Sequence, residues 1–218
     1  MATSHRLQSI QKDMEKKFGK NVLRPAREVV PYTLQRVSTG SVGLDIALNG
    51  GYPIGRFIQI RGHFSASKSS LAYHAIKHFQ QFFKDMGLDL YVALIQGEQG
   101  SFSPDYAEKI GVDVDRLIVN ESASMEEALE IAIRLQRERI VGLVVHDSFA
   151  SYVPMKEQES GMDESTQMGQ KPKLFDEYCR KYQASNNKIL REGGMPCTII
   201  GLNQLREKIG AYGDYLVA

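Results

Sequence analysis

Gly62-His63-Phe64-Ser65-Ala66-Ser67-Lys68-Ser69 follows the apolar run Phe57-Ile58-Gln59-Ile60 and reads as a phosphate-binding loop between a strand and a helix. Such a loop turns backbone N–H groups inward around phosphates, sends a lysine to the terminal phosphates and offers a hydroxyl to Mg²⁺. Here the phosphate cradle is Gly62, Ser65, Ala66, Ser67, Lys68, Ser69 and Ser70. Gly62 makes a tight exit from the strand, Lys68 supplies charge and Ser69 a metal ligand. One residue departs from the G-x-x-x-x-G-K-[ST] pattern, because Ser67 stands where a second glycine belongs. Alone, the broken pattern leaves a true loop and a chance match both open. If position 67 needs φ > 0, the serine side chain costs on the order of 1 kcal/mol, a several-fold loss of affinity rather than abolition.

Downstream, Gly142-Leu143-Val144-Val145-His146-Asp147-Ser148 ends a buried, β-branched run on a carboxylate. That is where a nucleotide-hydrolysing enzyme with a phosphate loop holds its Mg²⁺, which makes Asp147 a candidate metal residue beside Ser69. An N-cap on a following helix, by Asp147 or Ser148, is the structural alternative.

The chain has 218 residues, 42% hydrophobic, enough to bury a core and consistent with one domain plus an appendage. Cys179 and Cys197 lack metal-ligand spacing, and there is neither a signal-peptide pattern nor an 18-residue apolar run. The expectation is a reducing cytoplasm and no membrane partner. A net charge of +1 announces no nucleic acid, so any such role must rest on local basic groups.

Strand-like runs at 57–61, 90–96, 116–119, 141–146 and 197–202 alternate with helical segments, which predicts an α/β core with a mostly parallel sheet flanked by helices. In the helix after the loop, Leu71, Ala75, Phe79, Phe82, Phe83 and Met86 recur at helical spacing, and the aromatics belong to the core rather than to a binding stripe. Ser124 with Glu127 forms a capping box ahead of Met125, Ala128, Leu129, Ala132 and Leu135. Lys156 to Lys173 lacks periodicity and reads as one long loop.

Ahead of the core, residues 1–33 form an N-terminal helical arm and linker, with residues 34–218 as the core. Leu7, Ile10, Met14 and Phe18 make a narrow apolar stripe on a charged helix that stops at Gly19, and a linker with Pro25 and Pro31 follows. Spacing alone favours packing on the chain's own core over packing on a neighbour.

In order, these segments resemble the bacterial and phage RecA recombinases from about residue 5 to residue 213. The resemblance rests on Phe18-Gly19-Lys20, Val37-Ser38-Thr39-Gly40-Ser41, Leu44-Asp45-Ile46-Ala47-Leu48 and Tyr106-Ala107-Glu108-Lys109-Ile110-Gly111-Val112-Asp113. Gln167-Met168-Gly169 and Asn203-Gln204-Leu205-Arg206-Glu207-Lys208-Ile209-Gly210 look like the family's two DNA-binding loops. The resemblance implies a RecA-like ATPase core using ATP and Mg²⁺, with Glu98 activating the attacking water, Lys68 on the phosphates and Gln204 sensing the γ-phosphate. Tyr106 would stack on adenine, and Ser103 stands where the family has an aspartate. Met168 and Ile209 match wedges inserted between base triplets, Gly169 lies in the same loop, and Lys173, Arg180, Arg206 and Lys208 match phosphate-contacting positions.

The expected partners are single-stranded DNA, homologous duplex DNA and further copies of the chain in a filament. In that filament the arm docks on the adjacent subunit, contrary to the spacing argument. The implied function is ATP-dependent recombination and DNA repair; the alternative is a non-catalytic, regulatory filament protein that binds nucleotide weakly. The family's core continues past position 218 with strands and trans-acting lysines, so hydrolysis by this chain alone is expected to be weak.

Overall fold

A computed structural model of the chain describes residues 2–19, 22–23, 25–28, 35–122, 124–159, 169–207 and 216–217. The chain divides into two compact units, 1–34 and 35–218. In the first, α1 (Ala2–Phe18) carries the expected stripe, with Leu7, Ile10 and Phe18 exposed. It stops where Gly19, at φ +97°, turns left-handed and donates its N–H to the Glu15 carbonyl at 3.0 Å.

The second unit opens with β1 (Arg36–Val37), α2 (Val42–Ala47) and β2 (Tyr52–Pro53), β1 and β2 pairing antiparallel. Then come β3 (Phe57–Gly62), α3 (Lys68–Asp85), β4 (Tyr91–Gln96), α4 (Pro104–Ile110), β5 (Leu117–Glu121), α5 (Met125–Arg137) and β6 (Val141–Asp147). The chain continues through α6 (Met155–Glu159), α7 (Gln170–Arg191), β7 (Thr198–Gln204), β8 (Arg206–Glu207) and β9 (Leu216–Val217). The five expected strands are β3 to β7, and they form one parallel sheet in the order β3-β7-β6-β4-β5. The central strands β4, β6 and β7 are buried on both faces and apolar on either side, as a covered parallel sheet requires, whereas the edge strands β3 and β5 are only partly buried, with Gln59, Arg61 and Glu121 exposed. Val92, Leu94, Leu143, Val145, Ile200 and Leu202 pack under α3, while Ala93, Ile95, Val144 and Ile199 pack under α5 and α7. Gly201 is a close-approach position: a Cβ there would collide with the ring of Phe149.

Met86, the C-cap of α3, is 48% exposed. Two local expectations need correction. The Ser124 and Glu127 pair caps in one direction only: Ser124 Oγ accepts the Glu127 N–H at 3.4 Å, whereas Glu127 Oε2 takes the Ser122 hydroxyl at 2.9 Å. Residues 156–159 and 170–173 are helical rather than loop; Pro172 sits in the first turn of α7, where a missing N–H breaks no bond. Among the described residues no helix is long and apolar enough to cross a membrane.

Candidate functional site

A cleft of about 440 Å³ opens at the carboxyl edge of the sheet, where open parallel sheets hold their ligands. Its floor is the loop joining β3 to α3. Gly62 does not turn out of the strand as expected: it is the last residue of β3, in register with Gln204, and a Cβ on it would meet Ala66 and Lys68 at ordinary contact distances. The turn comes later, with Ser65 at φ +59° and Ser67 at φ +56°. The condition attached to Ser67 is therefore met, since a serine holds the left-handed conformation for which the pattern uses glycine. The Ser67 side chain makes no capping bond, so it does not occupy the first-turn N–H groups of α3.

Lys68 Nζ donates to the carbonyls of Gly62 at 3.2 Å and His63 at 2.7 Å, which anchors the ammonium at the mouth of the loop. Ser69 Oγ donates to Asp147 Oδ2 at 2.7 Å, joining the ends of two strand-to-helix segments 78 residues apart. The N-cap alternative for Asp147 is not what the structure has; its carboxylate takes the Ser69 hydroxyl. Burial pushes that carboxyl above its ordinary range, the Ser69 hydroxyl lowers it, the Glu98 charge raises it and the Lys68 charge lowers it. Glu98 lies just past β4, where Gly97 donates its N–H to the Asp147 carbonyl at 3.3 Å, and Gln204 ends β7; both line the cleft.

The side wall is aromatic. Tyr106 is 44% exposed, meets Tyr73 edge-on at 5.6 Å and shares a 3.0 Å hydrogen bond with Ser70 Oγ. Ser103 caps α4 by accepting the Tyr106 N–H at 3.3 Å. A partly exposed aromatic ring tied by its hydroxyl to Ser70, beside the loop, is a surface that suits a planar base.

Among the described lining residues Lys68 is the one cation, against the carboxylates of Glu98 and Asp147. Alone this balance repels a polyphosphate, so binding one calls for a divalent cation. The Ser69 hydroxyl and the Asp147 carboxylate are hard oxygen donors and fit Mg²⁺, which takes one or two protein ligands and shares its shell with phosphates and water. Among the described residues no cluster of three or more His, Cys, Asp or Glu side chains could hold a metal otherwise.

The cleft thus gathers Gly62's neighbours Ser65 to Ser70, Glu98, Tyr106, Asp147 and Gln204. Sequence reasoning passed over Gln96, Tyr73 and Ser101, which also line it. Gln96 ends an apolar strand-like run, a position that has no spacing of its own to mark it as a site residue. The candidate DNA residues are more scattered. Gly169 is the N-cap of α7, Lys173 and Arg180 are exposed two turns apart on that helix, and Arg180 pairs with Asp176 at 3.2 Å. Arg206 starts β8; Met168, Lys208 and Ile209 lie outside the described residues.

Residues 5–215 match the RecA N-terminal domain family. The chain is similar to the protein RecA of Trichodesmium erythraeum, 37% identical over 209 residues, which cover 95% of this chain and 54% of that relative. It is similar to the protein RecA of Arthrospira platensis, 37% identical over 95% of this chain and 53% of the relative. The protein RecA of Clostridium tetani is 38% identical over 91% of this chain and 53% of that relative. The chain spans about half the length of these curated relatives.

Proposed function

Because this chain belongs to the RecA family, we propose that it binds ATP with Mg²⁺ in the cleft and acts on DNA as a filament-forming recombinase in homologous recombination and repair. The single observation that carries the reading is the convergence of Lys68, the Ser69–Asp147 pair, Glu98 and Gln204 in one cleft at the sheet's carboxyl edge. In this reading the N–H groups of Ser65 to Ser70 hold the phosphates and Lys68 neutralises the terminal ones. Ser69 and Asp147 hold the cation and Tyr106 covers the base. The bound cation would offset charge that develops on the phosphates. Glu98 takes a proton from the attacking water, and Gln204 reports the γ-phosphate to the segment that begins at Leu205. That segment follows directly, since the Leu205 N–H bonds the Gly62 carbonyl at 3.1 Å, so strand and phosphate loop are tied at that point.

DNA binding is assigned to Met168, Gly169, Lys173, Arg180, Arg206, Lys208 and Ile209. Wedging and phosphate contact tolerate any base sequence, so the binding is sequence-independent and weakens with salt. Residues 1–33 are the oligomerisation arm and 34–218 the ATPase core; exposed Leu7, Ile10 and Phe18 on α1 support the arm's role as apolar surface for a neighbouring copy.

Equilibrium titration with a fluorescent ATP analogue tests the cleft: Lys68→Ala should abolish binding, and equal affinity in both proteins would defeat the assignment. Phosphate release with and without single-stranded DNA tests the chemistry, with Glu98→Gln expected to remove whatever turnover DNA stimulates. Deleting residues 1–33 should leave a monomer in sedimentation; an unchanged size distribution would refute the arm's role.

A further inference from the structure

Gln96 is a polar residue of the cleft with no role in the reading above. It ends β4, is 2% exposed, and its side-chain Oε1 has no hydrogen-bond partner. Among the described residues four buried side-chain atoms share that condition, the others belonging to Tyr52, Asn120 and Gln136; only Gln96 lines the cleft. A buried acceptor without a partner is costly, and native proteins keep one mainly where water, an ion or a ligand completes it.

Its position says what completes it. Gln96 and Asp147 are register partners on adjacent parallel strands, so their side chains leave the sheet on the same face about 4.8 Å apart at the backbone. Asp147 in turn accepts the Ser69 hydroxyl at 2.7 Å. Gln96 is thus the polar neighbour of the two oxygens that fit a divalent cation. An amide adds an acceptor there without adding a third carboxylate to a cleft with one lysine. Mg²⁺ dehydrates reluctantly, and the water it keeps is a strong hydrogen-bond donor. Groups that hold such water from behind the direct ligands orient the ion nearly as firmly as the ligands do.

We infer that Gln96 accepts, through its side-chain carbonyl oxygen, a hydrogen bond from a water in the coordination shell of the nucleotide's divalent cation. Gln96 is a positioning residue: it fixes where the ion sits against Ser69 and Asp147. The inference rests on the cleft's being an Mg²⁺–nucleotide site, and the test separates the two.

Mg²⁺ is titrated into the 218-residue chain with a fixed fluorescent ATP analogue, for the wild type, Gln96→Met and Gln96→Glu. Methionine keeps the length and removes the acceptor; glutamate keeps the acceptor. Gln96→Met should raise the Mg²⁺ concentration for half-maximal binding by about 10- to 100-fold. At saturating Mg²⁺ its nucleotide affinity should return to within a few-fold of wild type. Its unfolding temperature without nucleotide should equal or exceed the wild-type value, because an orphaned acceptor has been removed. Gln96→Glu should retain most of the Mg²⁺ response. A Met variant with a wild-type Mg²⁺ curve overturns the inference, as does a Glu variant that behaves like Met. So does a Met variant that loses stability and binds poorly at every Mg²⁺ level, which would make Gln96 a packing residue. If the wild type itself shows no Mg²⁺-dependent nucleotide binding, the reading of the cleft falls and this inference with it.

Discussion

Acidification should destabilise this protein chiefly through one buried histidine. His146, on the central strand β6, is fully buried, and burial lowers its pKa from 6.5 to about 3. Its hydrogen bonds explain how a neutral ring is held. The Tyr152 hydroxyl donates to the Ile95 carbonyl at 2.9 Å, so its oxygen is left to accept from His146 Nδ1 at 3.0 Å. The proton is then on Nδ1, and Nε2 accepts from the Tyr178 hydroxyl at 2.8 Å. Every member is satisfied in one direction only, and a second ring proton would face the Tyr178 proton. The unfolded chain binds that proton below pH 6.5 and the folded chain refuses it down to about 3, so stability is full above pH 6.5 and falls as pH drops toward 3.

Each pH unit in that window costs about 1.4 kcal/mol, and going from pH 7 to pH 5 costs about 2 kcal/mol. For a unit of this size that is about 4–8 °C in unfolding temperature. The control is the pair of substitutions His146→Leu and Tyr178→Phe, which removes the titrating ring together with the hydroxyl it would orphan. Denaturant unfolding at pH 7, 6 and 5 should show the wild type losing about 2 kcal/mol more than the double variant. His78, also shifted down by burial, contributes equally to both proteins and cancels. Equal slopes in the two proteins would refute the reasoning, as would a nitrogen-15 spectrum with the His146 proton on Nε2.

Two further substitutions probe the cleft. Asp147→Asn should abolish Mg²⁺-dependent nucleotide binding and yet raise the unfolding temperature of the free protein, because burial and the Glu98 charge both disfavour the ionised carboxyl; a less stable variant in calorimetry would contradict this. Ser67→Gly removes a left-handed serine, a gain of about 1 kcal/mol that the entropy of an added glycine roughly offsets, so denaturation midpoints should change little. Nucleotide affinity for that variant should be unchanged or several-fold tighter; a marked weakening in titration would make the Ser67 hydroxyl itself a ligand.

Much of this was readable from the chain alone. Strands β4, β6 and β7 announce themselves because a strand buried on both faces demands an apolar, β-branched run of about five residues, and the edge strands β3 and β5 keep enough of that pattern to be read. That Lys68, Ser69 and Asp147 would meet in one cleft is legible because a phosphate loop restricts the residue types expected at those positions. Glu98, Tyr106 and Gln204 needed the family resemblance, since a polar residue past a strand's end has no spacing of its own. What tertiary structure alone decided are the pairings across distance. The φ of Ser67 depends on how the loop closes between β3 and α3. Pro172 reads as a break in sequence and proves to be a first-turn residue of α7. Residues 95, 146, 152 and 178 meet around His146, and Gln96 lies beside Asp147, because β4 and β6 are sheet neighbours although α4, β5 and α5 separate them in the chain. Composition and periodicity fix which face of an element is buried; which buried polar group finds a partner is set by strand order and register, which no local pattern encodes.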